Sequence, residues 1–152
     1  MSTQPSPTAP RRLVVGVDGS AASVEALRWA ARTGGALGLA LEAVSSWDFP
    51  ASYGLAGGIG GWDPAADAKV EQEGALSTAF GHEYPAGLTR RTQQGQPARV
   101  LIEAAAGAEL LVVGSRGHGG FAGLLLGSVS TQCAAHAPCP VVVVHEAEPG
   151  AS

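Results

Sequence analysis

Short apolar runs recur along the chain, and between them lie longer stretches whose apolar residues return every three or four positions. Arg12 to Val17 (RLVVGV) is β-branched and continuous, which suits a buried parallel strand. It ends in Asp18-Gly19-Ser20, and Ser20 can cap a following helix that turns Val24, Leu27 and Ala31 to one face and closes at Gly34-Gly35. Leu39 to Trp47 reads as a second strand. Residues 48–63 are rich in glycine and lack periodicity, so they read as a loop, and Pro64 opens a helix to about Glu83. Leu88 to Gln94 is a third strand, polar enough for a sheet edge. Gln96-Pro97 begins a helix that turns Val100, Leu101, Ala104 and Ala105 inward. Leu110 to Val113, a helix from Ser128 to His136, and Pro140 to His145 (PVVVVH) complete the pattern.

Strands alternating with helices predict a single-domain α/β fold: a five-stranded, mostly parallel, doubly wound sheet with flanking helices. The expected strand order is 3-2-1-4-5. Residues 1–10 and 148–152 read as disordered tails around a domain spanning 11–147. In that order the winding reverses between strands 1 and 4, and ligands of such sheets bind beyond the carboxyl ends at the reversal. Asp18 and Gly114 stand there.

Composition removes several function classes. The 152 residues are 45% hydrophobic and 14% charged, with a net charge of -4. No basic stripe suggests nucleic acid, and no apolar run approaches the roughly 18 residues that suggest a membrane span. The N-terminus lacks a hydrophobic signal core, so a cytoplasmic location and reduced Cys133 and Cys139 are expected.

The segment after the fourth strand, GSRGHGGFAGLLLGSVS (Gly114 to Ser130), carries six glycines, one arginine and no acid. Two readings compete: a flexible turn in a glycine-rich protein, or backbone offered to a ligand. Glycines 114, 117, 119 and 120 allow successive N–H groups to point into one concavity. Ser128, after Gly127, begins a helix whose first N–H groups, at Val129 and Ser130, form an anion site. Arg116 is the loop's only cation, and His118 either approaches a phosphate or is solvated. Asp18 reads as a ligand to Mg²⁺ or a ribose hydroxyl, or as a helix cap.

Rival motifs are weaker. Gly117-x-Gly119-x-x-Ala122 matches a dinucleotide fingerprint but follows the wrong strand. No Walker loop exists, and Lys69 is the only lysine. Cys133, His136 and Cys139 lack the second ligand pair that a zinc site needs, so Cys133 reads as a small apolar core residue.

Gly114-x2-Gly117-x9-Gly127-Ser128 resembles the nucleotide-binding signature of the ATP-binding universal stress proteins. VVGVDGS, the Val-x-x-Trp end of the second strand, Gly95-x-Pro97 and PCPVVVV resemble the same family. The likeness runs from about Arg12 to His145, with Glu109 standing where Asp is more usual. It implies that Val44 meets adenine through its backbone near Gly16, with Asp18 by the ribose or a Mg²⁺. Gly114 and Gly117 would line the ribose and phosphates; Ser115, Arg116, His118, Gly119 and Gly120 are candidates beside them from the loop's own chemistry. Gly127, Ser128 and Val129 would hold the phosphate tail, next to the Ser130 N–H that the helix start already offers. The resemblance also implies a homodimer joined through Val141 to Val144.

With no acid in the loop to orient water and no lysine for the phosphates, the expectation is an ATP-binding, stress-responsive regulator with little or no hydrolysis. The alternatives are a slow or self-phosphorylating ATPase, and a structural dimerisation module without nucleotide.

Overall fold

A computed structural model describes residues 11–50, 61–116 and 126–146. The elements run β1 (Arg12–Gly16), α1 (Ala21–Leu37), β2 (Ala40–Trp47), α2 (Pro64–Phe80), β3 (Thr89–Gln94), α3 (Pro97–Ala104), β4 (Leu110–Gly114), α4 (Ser128–His136) and β5 (Val141–Val144). All four strand pairings are parallel, in the order β3-β2-β1-β4-β5. The expected strand order holds, and the winding reverses between β1 and β4.

The pleat divides each inner strand between two cores. Leu13 and Val15 face Leu27 of α1 and Leu76 of α2, whereas Val14 faces Val100 and Leu101 of α3. In β4, Val112 points to the first layer, and Leu111 and Val113 point to the second, where Cys133 of α4 also lies. Helices therefore cover both faces. Among the described residues, no helix is long and apolar enough to cross a membrane.

Strand bounds shift by a residue from the sequence pattern, and two helix ends differ by more. The first helix does not close at Gly34-Gly35; it continues to Leu37 and ends on Gly38 at φ 71°, whose N–H bonds back to the Gly34 carbonyl. Gly34 serves packing instead, since a Cβ there would stand 3.2 Å from the Leu39 carbonyl oxygen. The second helix stops at Phe80 rather than near Glu83, because Gly81 at φ 64° turns the chain away.

Candidate functional site

The carboxyl ends of β1 and β4 meet at the winding reversal, and each leads into a helix N-terminus. Beyond β1, Val17 makes the last ladder-like bond, its N–H donating to the Val44 carbonyl at 2.9 Å. Gly19 then takes φ 82°, which glycine adopts without strain. Asp18 is exposed, and its Oδ1 accepts from the Ser20 N–H at 2.9 Å and from the Ser20 hydroxyl at 2.5 Å. Ser20 Oγ in turn accepts from the Ser23 N–H at 3.2 Å, capping α1. Asp18 thus helps build the cap through one oxygen, while Oδ2 makes no hydrogen bond among the described residues.

The other junction is clasped at its base, and its helix start carries no side-chain cap among the described residues. Ser115 donates its N–H to the Val144 carbonyl at 2.8 Å, and its own carbonyl accepts from the Gly127 N–H at 2.6 Å and from the Ser130 hydroxyl at 2.9 Å. That clasp brings Gly127 back to the end of β4. Ser130 is buried and its hydroxyl is committed to the clasp. Gly127, the N-cap residue of α4, has no side chain to cap the helix. Ser128 is exposed, and Arg116 stands exposed beside the clasp.

Two glycines owe their identity to packing. A Cβ on Gly114 would lie 2.8 Å from Ala22 Cβ, 2.9 Å from the Ala22 carbonyl carbon and 3.0 Å from the Ser23 nitrogen. The end of β4 therefore lies directly against the first turn of α1. Gly16 faces the other layer, where a Cβ would meet Leu101 Cδ1 at 2.7 Å. Gly16 also pairs in register with Val44, which is fully buried within β2 and whose carbonyl is the one that accepts the Val17 N–H. Gly117, His118, Gly119 and Gly120 lie outside the described residues, as do residues 51–60 of the candidate loop over 48–63.

Three residues around the β1 turn escaped the sequence reading. Ser45 of β2 donates its hydroxyl to the Val17 carbonyl at 2.7 Å. Gln72 of α2 is buried and donates its amide to Ser45 Oγ at 3.0 Å, to the Arg91 carbonyl at 3.0 Å and to the Ala43 carbonyl at 3.3 Å. Glu71 lies so close to Gly19 that a Cβ there would stand 2.8 Å from Glu71 Cγ. A polar residue at helical spacing between buried Ala68 and Leu76 was the available signal.

The thiols lie on the α4 side. Burial pushes the Cys133 thiol up to about 11, so it is neutral at pH 7 and packs as a core residue. Burial also raises Cys139, against the opposing charge of Arg12.

Residues 10–145 match the Universal stress protein family, and the chain belongs to it. A universal stress protein of Mycobacterium tuberculosis (strain H37Rv) is 40% identical over 139 residues, covering 88% of this chain and 45% of that protein. The chain spans about half the length of the curated relatives it matches. A universal stress protein from Lactobacillus plantarum has a similar fold, with a TM-score of 0.70 at 22% identity over 88% of this chain and 97% of that one. A universal stress protein solved in complex with cAMP aligns with a TM-score of 0.59 at 29% identity, covering 92% of this chain and all of that one.

Proposed function

We propose that this universal stress protein binds ATP at the meeting of β1 and β4 and acts as a nucleotide-responsive regulator with little or no hydrolysis. The observation that carries the reading is the α4 N-terminus. Its N-cap residue is a glycine, its loop is clasped back onto the end of β4, and its first N–H groups stand at the sheet's winding reversal. A helix end of this kind favours a phosphate through its free donors and its dipole. The relative solved with cAMP supports an adenine nucleotide as the ligand class.

In this reading Gly127, Ser128, Val129 and the backbone of Ser130 hold the phosphate tail, and Ser115, Arg116, Gly117, His118, Gly119 and Gly120 surround the remaining phosphates. Gly114 and Gly16 shape the crevice by letting a helix approach on each face, and the Val44 backbone meets the base. Asp18 faces the ribose, or holds Mg²⁺ through the oxygen its turn leaves unengaged. One carboxylate fits a Mg²⁺ that takes its other ligands from phosphates and water, where it would offset phosphate charge.

The domain over 11–147 works in the cytoplasm as a homodimer joined through Val141 to Val144. These four valines are half-buried on the open β5 edge, unlike the charged β3 edge, where Arg90 pairs with Glu73 and lies over Tyr84. Sedimentation should show a dimer that a lysine at Val143 converts to monomer.

Mass spectrometry of small molecules released from freshly purified protein tests the central reading. Co-purified ATP or ADP in near-stoichiometric amount is expected. An empty protein that also fails to bind ATP with Mg²⁺ in calorimetric titration would sink it.

A further inference from the structure

The Val17 carbonyl lies one residue beyond β1 and is held outside the sheet ladder. It belongs to the peptide unit joining Val17 to Asp18, so its direction fixes the plane from which Asp18 departs. A side chain, not a strand, holds it: the Ser45 hydroxyl donates to it at 2.7 Å, in a buried setting. The polarity of that bond is fixed by the carbonyl, which can only accept. Gln72 Nε2 stands 3.0 Å behind Ser45 Oγ and shares its two hydrogens between that oxygen and two backbone carbonyls, so the Ser45 oxygen accepts from Gln72 while its one hydrogen goes onward to Val17.

Gln72 is itself anchored. Its amide also reaches the Arg91 and Ala43 carbonyls, tying α2 to β3 and β2, and it is only 2% exposed. A buried amide is costly unless satisfied, and this one is satisfied by the group that orients the turn. Next to Gln72, Glu71 presses against Gly19 from the same helix.

We propose that Ser45 and Gln72 are positioning residues of the nucleotide site, which aim Asp18 by a directed relay from the Gln72 amide through the Ser45 hydroxyl to the Val17 carbonyl. The inference rests on the ATP-binding reading. It assigns to α2, which supplies no ligand in that reading, control over where the Asp18 carboxylate stands.

Ser45→Ala is the clean probe. It removes the donor to Val17, while Gln72 keeps its two carbonyl acceptors. In the full chain without ligand, amide hydrogen exchange at Ser20, whose N–H is held by Asp18, should quicken about tenfold, with Leu111 and Val112 of β4 unchanged. Ser45→Thr, which retains the hydroxyl, should restore the wild-type rate. With ATP and Mg²⁺, Ser45→Ala should bind about tenfold more weakly than wild type, and adding it to Asp18→Ala should cost nothing further. An unchanged Ser20 rate, a uniform rise across the sheet, or additive losses in the double variant would each overturn the relay. A wild-type chain that binds no ATP, with Ser20 responding as stated, would instead remove the nucleotide reading and leave the aiming of Asp18 supported.

Discussion

The two strand-to-helix junctions at the centre of the sheet solve the same problem in opposite ways. Both must satisfy the free N–H groups of a helix start. After β1, the chain caps the helix with its own side chain: Ser20 Oγ accepts from the Ser23 N–H, Asp18 holds Ser20, and Ser45 holds the peptide before Asp18. After β4, the hydrogen bonds close the base of the loop, and the helix N-cap is a glycine. Anchoring differs likewise. Helix α1 buries residues from Ala22 to Gly34, whereas α4 buries Ser130 and Cys133. One helix start carries a side-chain cap, and the other has none among the described residues.

The strongest way to break this contrast is to disturb the point where the junctions touch. Gly114→Ala places a methyl group within 3.0 Å of α1 backbone atoms, which cannot move aside as a side-chain tip can. Helix α1 must shift from the sheet, at a cost of about 2–3 kcal/mol in urea unfolding. A silent substitution would show that the junctions are not in hard contact.

The thin anchoring of α4 can be probed by pH. The Cys133 thiol is raised from 9.0 to about 11 by burial, so between these values the folded chain keeps a proton that the unfolded chain has lost. Stability is therefore unaffected below about pH 9 and falls as pH rises toward 11, by about 1.4 kcal/mol per pH unit. Unfolding curves at pH 8, 9 and 10 measure that slope, and Cys133→Ala should remove this contribution to it.

A serine-for-serine comparison sharpens the contrast directly. Ser20→Ala removes the α1 cap and should cost about 1 kcal/mol. Ser128→Ala, at an exposed residue that caps nothing, should stay within about 0.5 kcal/mol. Equal losses in thermal unfolding would mean that α4 is capped as firmly as α1.

The strand order, the layers and the polar edge strand were legible because apolar period and turn residues are local signals. The end of α1 was not, since Gly34 answers to Leu39 brought back by the fold rather than to its own neighbours. The same holds at the site. Gly114 drew attention as a glycine suited to a ligand, and Gly16 only through the family likeness, but their neighbours in space are Ala22 and Leu101, which no spacing rule connects to them. Ser20 as a cap was visible because capping is local. Ser45 and Gln72 were not, because a buried polar pair declares itself only when both partners and the carbonyl they serve are in place.

The smallest stability change expected is also the most pointed test of the open junction. Gly127 has φ -78° and ψ 173°, extended backbone that any residue adopts, so nothing in its conformation requires glycine. Gly127→Asp would supply α4 with the carboxylate cap that its N-terminus lacks, stabilising the fold by a few tenths of a kcal/mol. The same carboxylate would occupy the donors offered to phosphate and place a negative charge beside them. ATP affinity should then fall about a hundredfold, roughly what 2.7 kcal/mol represents, while thermal stability stays level or rises. A variant that gains stability and loses ATP would identify the missing cap with the ligand site. One that gains stability and still binds ATP as tightly would show that the phosphates rest elsewhere, and that α4 simply begins without a cap.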